Sequence, residues 1–242
     1  KQGRPSIPVN SLVGSLFLQS WYGLLDPMTE ELIHDRISFR KFLDIKEDDT
    51  IPDETTICKF RNALIKNNLL ESIFLEVKNS MIKNNLILNE GTLVDATLIH
   101  SSEPKKRKDE NGKTISNKAN DEDASYTSKR GRKHHGYKIH IATDTNSIIK
   151  EVITTTAKTH DSTQFDTLTK DETKAVFADS GYMSQERKRT LRSKGIFNGI
   201  TERRVRGQSK LRTKQSKNNT KFSKVRALVE LPFAFIKKLM KY

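Results

Sequence analysis

The amino-acid sequence predicts an α/β fold, a mixed β-sheet flanked by helices, preceded by a small all-helical domain. Two patterns support this prediction. Apolar residues recur at helical spacing through residues 1–90. In residues 91–242 they instead form short, partly β-branched runs that alternate with helical patterns and are typical of buried strands. We therefore expect a boundary between two domains near residue 90.

Four helices are predicted in the first part of the chain. Asp26-Pro27 ends the first helix, and Thr29 is expected to begin the second. The charged, proline-containing stretch 46–53 is predicted to be a loop. Thr55 or Thr56 is the expected cap of the third helix, and the fourth spans about 70–81. Such a bundle suits contacts with DNA or with a partner subunit.

The second part alternates strands and helices. Three predicted strands precede a helix near Asp161, and later strands alternate with helices over about 184–193 and 221–241. Residues 101–134 are polar and are predicted to be a long, flexible loop. The order matches that of a ribonuclease-H-like fold, although the pattern also suits other α/β folds. The predicted strands are 93–99, 137–143, 148–155, 175–178 and 196–200.

The charge of the chain is strongly positive and unevenly distributed. Lys and Arg total 44 against 30 Asp and Glu, a formal net charge of +14. Residues 1–90 carry a net charge of −2, and the remainder carries +16. This distribution favours a nucleic-acid partner for the second part. Cys58 is the only cysteine, so an internal disulfide is excluded. A reducing cytoplasm is the expected setting, with no membrane partner.

Two aspartates occupy apolar strands. Asp95 lies within one predicted strand, and Asp179 ends another. Burying an unpaired carboxylate is costly, and a divalent cation such as Mg²⁺ would compensate both charges. A role as a cap or a turn residue is the alternative for either aspartate taken alone.

The last predicted helix carries a third acid. At about 100° per residue, Arg226, Glu230 and Lys237 lie within a sector of about 60°. Glu230 either completes a metal site with phosphate-binding cations beside it, or forms an ordinary salt bridge one turn from Arg226. Pro232 is expected to kink this helix or to lie in its first turn.

Five ordered blocks carry a family resemblance. Arg226-x3-Glu230-x6-Lys237 resembles the signature of DDE transposases of bacterial insertion sequences, in particular the group typified by insertion sequence 5. The other four blocks also resemble that group, in the same order. They are Leu93-Val-Asp-Ala-Thr, His135-Gly-Tyr-Lys-Ile-His, Thr159-His-Asp-Ser and Ala178-Asp-Ser-Gly-Tyr.

The resemblance implies a ribonuclease-H-like catalytic domain and a transposase. Asp95, Asp179 and Glu230 would be the catalytic and metal-binding residues, holding two Mg²⁺ or Mn²⁺ ions for DNA cleavage and strand transfer. Arg226 and Lys237 would contact the DNA ends. The expected partners are double-stranded DNA, at the element ends and at the target, and a second copy of the chain in a homodimer on DNA. A bacterial, nucleoid-associated location follows.

A basic stretch precedes the predicted last helix. Residues 203–229 contain ten basic and no acidic residues. Their position next to Glu230 favours phosphate contacts over an uninvolved solvated surface. The expected DNA-binding residues within it are Arg203, Arg204, Arg206 and Lys224, in addition to Arg226.

Three other functions are compatible with parts of the sequence. Asp53, Glu76 and Lys78 match a pattern of restriction-type nucleases, which requires residues 74–78 to be a strand. A catalytically inactive DNA-binding remnant of a transposase would share the fold but not the activity. Residues 1–90 would alternatively act as a helical regulatory module through protein contacts.

Overall fold

The computed structural model describes residues 6–103, 106–108, 114–116, 121, 123–129, 131–204 and 207–238. The chain divides into two compact units. Of the described residues, the first, helical unit contains 6–83 and 234–238, and the second unit contains those of Asn84–Phe233. No helix in the described part of the chain is long and apolar enough to cross a membrane.

Five helices form the N-terminal part of the helical unit. Their core consists of buried side chains from three helices and the turn after them, among them Leu18, Ile33, Phe39 and Leu43. Arg61 forms an ion pair with Asp26, which ties α4 to the start of α2. The helices are α1 (Val9–Tyr22), α2 (Asp26–Asp35), α3 (Ile37–Phe42), α4 (Glu54–Lys66) and α5 (Leu69–Lys83).

Two predicted helix starts are wrong by a few residues. Helix α2 begins at Asp26 and not at Thr29, because a proline in the first turn needs no intrahelical N–H partner. Helix α4 is capped by Asp53, whose Oδ1 accepts from the backbone N–H of Thr56 at 2.7 Å. The aspartate before the two threonines supplies the stronger acceptor.

Residues 74–78 lie inside helix α5. The restriction-type nuclease hypothesis for Asp53, Glu76 and Lys78 needs a strand there, and the structure contradicts it. The apolar spacing across this segment has the period of a helix, and the helix forms accordingly.

The second unit contains a six-stranded mixed sheet. Its order is β4-β5-β1-β7-β8, and β6 pairs with another part of β5. Strand β5 is antiparallel to β1, β4 and β6, whereas β7 runs parallel to β1 and β8. A separate hairpin is formed by β2 (Lys106–Lys108) and β3 (Thr114–Ser116). The strands of the sheet are β1 (Thr92–His100), β4 (Ser125–Lys129), β5 (Arg132–Thr143), β6 (Ile149–Thr156), β7 (Ala175–Ala178) and β8 (Phe197–Asn198).

Helices cover both faces of this sheet. On one face, α6 (Phe165–Leu168) and α7 (Gln185–Ser193) pack against side chains that include Val94 and Val176. On the other face, Val225 and Val229 of the C-terminal helical region pack against Leu93 and Ile141. This architecture confirms the predicted mixed α/β fold and is consistent with a ribonuclease-H-like fold.

Strands occupy part of the predicted loop over 101–134. Strand β4 and the first residues of β5 form a hairpin there, and β2 and β3 form another. The β4–β5 hairpin turns at Gly131, whose φ is +76°, and His135 of β5 packs under the Tyr126 ring. Strand β4 is polar and lies at the edge of the sheet, so backbone ladder bonds to β5 contribute much of its stability. Hydrophobic alternation, the signal used for the prediction, does not report such bonds.

The C-terminal helical region is interrupted. Helix α8 (Thr213–Arg226) is followed by a 3₁₀ turn (Ala227–Val229) and then by α9 (Glu230–Lys238), in place of one helix over 221–241. Pro232 is the third residue of α9, where no intrahelical N–H is required. A continuous helix would press its ring against the Leu228 carbonyl. Here that carbonyl accepts a hydrogen bond from the Ser147 hydroxyl at 2.8 Å.

Glu172 connects the starts of two central strands. Its side chain is almost completely buried, accepts from the Thr92 hydroxyl and pairs with Lys150 at 3.2 Å. Its Oε1 also accepts from the backbone N–H of Lys174 at 2.7 Å. Burial raises the pKa of this carboxyl, but the hydrogen bonds and the Lys150 charge together hold it below its ordinary value.

We predict that Glu172→Gln lowers the free energy of unfolding by about 2 kcal/mol at pH 7, because charged hydrogen bonds to Thr92 and Lys150 are lost. The folded-state pKa is depressed, so this contribution is complete above the unfolded pKa and declines as the pH falls towards the folded one. Urea unfolding at pH 7 and pH 3 measures both effects, and the two proteins should converge in acid.

The matched control is Lys170→Gln, which removes an exposed ion pair with Glu151 at 3.8 Å. We expect a change of less than about 1 kcal/mol at either pH. A Glu172→Gln variant as stable as the control would show that the buried carboxylate does not stabilise the sheet.

Candidate active site

Asp95 lies in the middle of the central strand β1. It pairs with Ile141 of β5, and its side chain is about one-fifth exposed. One carboxylate oxygen, Oδ1, accepts from the backbone N–H of Ala96 at 2.8 Å. A charged group in this position needs a compensating partner, since the neighbouring side chains of the sheet are apolar.

Arg226, the last residue of α8, supplies that partner. Its Nη1 donates to Oδ2 of Asp95 at 2.9 Å, and both side chains are about four-fifths buried. The two residues are 131 positions apart in the sequence, and the bond joins the C-terminal helical region to the central strand. The Nε of Arg226 is buried and has no hydrogen-bond partner among the described residues.

The Asp95 carboxyl also responds to the other two candidate acids. Burial raises its pKa above the ordinary value, and the Ala96 N–H and the Arg226 charge only partly oppose this. The negative charges of Asp179 and Glu230 raise it further. All three candidate carboxylates therefore interact electrostatically at one end of the sheet, around Asp95.

Asp179 follows the last residue of β7. Its Oδ1 caps a short 3₁₀ turn (Ser180–Tyr182) by accepting from the N–H of Ser180 at 2.6 Å. The Thr201 hydroxyl also donates to this oxygen, at 3.4 Å. The side chain is exposed, so the cap role and access to a ligand are compatible.

Glu230 is the first residue of α9 and is exposed. It follows Val229, which is completely buried against Leu93 and Ile141. The 3₁₀ turn advances about 120° per residue and not about 100°, so Arg226 and Glu230 do not share the continuous helical face predicted from the sequence. Because Val229 is packed in the core, it fixes the position of Glu230, the next residue, at the surface beside it.

Among the described residues, no group of three or more His, Cys, Asp or Glu side chains is arranged to hold a metal ion. The donor chemistry nevertheless suits one, because carboxylate oxygens are the ligands that Mg²⁺ prefers. The mutual repulsion acting on Asp95 is the electrostatic condition that a divalent cation relieves.

The candidate DNA-binding cations lie in different places. Arg203 and Arg204 are exposed after β8, and the Nη1 of Arg204 donates to the Ser209 carbonyl. Lys224 is exposed on α8, and Lys237 is exposed near the end of α9. Arg206 lies outside the described residues.

A polar cluster that was not predicted from the sequence lies beside the acids. Lys138 of β5 forms an ion pair with Asp161 at 2.7 Å and donates to the Thr159 carbonyl. Tyr182 is almost completely buried, with no hydrogen-bond partner for its hydroxyl among the described residues. Burial and the charges of Asp161, Asp95 and Asp179 raise its pKa. These residues belong to the sequence blocks that carry the family resemblance, and that resemblance was the one signal in the sequence that pointed to them.

Comparisons with known proteins match both parts of the chain. A family model described as "Transposase DDE domain" matches residues 88–242. A second model, described as "Transposase domain (DUF772)", matches residues 1–63. No solved structure matches the chain.

We predict that Asp95 and Arg226 are energetically coupled. A double-mutant cycle with Asp95→Asn and Arg226→Gln should give a coupling of about 1–3 kcal/mol in unfolding experiments without metal, because the pair is mostly buried. The control is a second cycle that pairs Asp95→Asn with Lys224→Gln, since Lys224 is exposed on the same helix. Equal coupling in both cycles would contradict the prediction.

Proposed function

Since the chain belongs to the DDE transposases, the enzymes that move insertion sequences, we propose that Asp95, Asp179 and Glu230 form its catalytic, metal-binding site. The observation that supports this assignment is the charge interaction of Asp179 and Glu230 with the buried Asp95 carboxyl. Three acids from β1, the end of β7 and the start of α9 thereby act on one location. The insertion sequence 5 group remains a prediction.

The proposed reaction is metal-dependent cleavage of a DNA strand at the end of the element, followed by strand transfer. Water attacks the scissile phosphate and releases a 3′-hydroxyl, which then attacks a phosphodiester of the target DNA. Two Mg²⁺ or Mn²⁺ ions held by the three carboxylates would supply an activated nucleophile and a stabilised leaving oxygen. No covalent bond to the protein is required, so none of the side chains acts as a nucleophile.

Arg226 has two partners in this proposal. Without DNA its guanidinium neutralises Asp95, which keeps a buried carboxylate from being uncompensated. Bound divalent ions would neutralise Asp95 in its place. The guanidinium would then be free to donate to a phosphate of the DNA end, for which its planar array of donors is suited. The Nε of Arg226 supports this exchange, because it is a buried donor that has no acceptor among the described residues.

The remaining DNA contacts are proposed from charge and position. Arg203, Arg204 and Lys224 present exposed cations in the segment around Glu230, and Lys237 follows it on α9. Their partner is double-stranded DNA at the element ends and at the target. Joining two ends calls for a homodimer assembled on DNA. Such an enzyme works in the bacterial cytoplasm, at the nucleoid.

We predict that Asp95→Asn, Asp179→Asn and Glu230→Gln each reduce Mg²⁺-dependent nicking of element-end DNA by roughly 10³-fold or more. Each substitution removes a charge needed to hold the ions but keeps the size of the side chain. Binding of the same DNA in EDTA should change much less. A gel assay for nicked product and an anisotropy titration measure the two quantities.

Glu186→Gln is the matched control for these variants, because Glu186 is an exposed acid on α7. It should cleave like the wild type. If any one of the three acid variants retains normal cleavage, the assignment of that residue to the catalytic site is wrong. A wild-type chain that binds element ends but never nicks them would identify an inactive remnant.

A further inference from the structure

A groove of about 750 Å³ surrounds the outer edge of the sheet at β8. Helix α7 lies on one side of this strand and α8 on the other, because the two helices pack on opposite faces of the sheet. The lining of the groove includes Lys188 and Arg192 of α7, Phe197 of β8, Glu202, and Lys221 and Phe222 of α8. None of these residues belongs to the proposed catalytic site.

The groove is positively charged. Lys188, Arg192 and Lys221 contribute three cations to its wall, against the single carboxylate of Glu202. Glu202 is itself held by Lys188 at 3.4 Å and by the Gln215 side-chain amide. Its charge is therefore partly compensated within the wall. The remaining positive potential suits a phosphate-bearing ligand.

An aromatic platform lies in the same groove. The Phe197 side chain is 53% exposed although it belongs to the sheet. Its ring packs edge-on against Phe222, with centroids 5.7 Å apart, and also contacts Phe177. The ring is thus fixed on one side and open on the other. A base inside a duplex is already stacked on its neighbours, so only an unpaired base can stack on this ring.

The groove adjoins the acidic site through the segment that follows β8. Ile200 and Glu202 line the groove, and the hydroxyl of Thr201 between them donates to Oδ1 of Asp179 at 3.4 Å. Arg226 contacts Asp95 directly. A DNA strand held in the groove would therefore lie beside the candidate acids.

We propose that this groove binds a single strand of DNA, with its phosphates on Arg192 and Lys221 and an unpaired base stacked on Phe197. The inference rests on the proposed function in one respect, that the chain processes DNA ends. The inference specifies that the bound DNA has unpaired nucleotides beside the cleavage site, and it names the residues that hold them. Binding in the groove requires neither the metal nor the three acids.

The test measures binding of the full chain to a labelled oligothymidine of about 12 nucleotides and to a blunt duplex, by anisotropy in EDTA. Phe197→Leu should weaken oligothymidine binding about 10-fold and leave duplex binding within about 2-fold, because only the stacking contact is lost. Phe197→Tyr should bind like the wild type, since it keeps the ring. Retained duplex binding shows that each variant is folded.

Charge variants test the phosphate contacts. The double substitution Arg192→Gln with Lys221→Gln should reduce oligothymidine binding by about 10-fold and make the salt dependence less steep by about one to two contacts. The matched control is Arg189→Gln with Lys217→Gln, which removes two exposed cations from the same two helices outside the groove wall. This control should change binding by less than about 2-fold.

Two results would overturn the proposal. One is an equal loss in the groove variant and its control, which would indicate diffuse charge attraction. The other is normal oligothymidine binding by Phe197→Leu. Glu230→Gln separates this inference from the proposed function, because it should bind oligothymidine like the wild type while failing to cleave. If Glu230→Gln still cleaves DNA, the assignment of Glu230 as a catalytic residue is wrong, but the proposal for the groove is unaffected. If this variant loses oligothymidine binding, the proposal that the groove binds DNA independently of the acids is wrong.

Discussion

The ion pair between Asp95 and Arg226 is the contact on which the organisation of the catalytic unit depends. A carboxylate in the central strand of a sheet is costly unless a cation reaches it, and Arg226 does so from the end of α8 at 2.9 Å. The pair fixes the C-terminal helical region against β1. It also keeps the candidate metal ligand compensated without metal, so that one interaction serves both stability and the readiness of the site for DNA.

A second constraint places Glu230. Pro232 cannot continue an α-helix from α8, so the chain makes a 3₁₀ turn before α9. The Leu228 carbonyl at this turn is satisfied by the hydroxyl of Ser147, in the connection between β5 and β6. Val229 inserts into the core one residue before the glutamate. The 3₁₀ turn is therefore stabilised by specific contacts, and it separates helix α8, which carries Arg226, from helix α9, which carries Glu230.

The acids and the groove together describe a surface with two chemistries. One end of the sheet concentrates negative charge around Asp95, where divalent ions would bind, and the edge at β8 offers cations and an open aromatic ring. Helix α8 connects them, with Arg226 at one end and Lys221 lining the groove. The proposed function would use both properties, the acids to hold metal ions at the phosphate that is cut and the groove to hold the adjoining strand by its backbone and bases.

The sequence by itself determined the type of each strong element, the position of Asp95 within a strand and of Asp179 at the end of another, and the family, since periodicity and ordered blocks are local properties of the chain. It missed the polar strand β4, which is held by ladder bonds to β5. It placed Pro232 in the first turn of a helix as an alternative to a kink, which is what the structure shows, but it did not locate the 3₁₀ turn before Glu230. Only the tertiary structure decided that Arg226 pairs with Asp95 across 131 residues and that an exposed ring faces the groove. Long-range partners are selected by the total free energy of packing, which no local pattern of residues records.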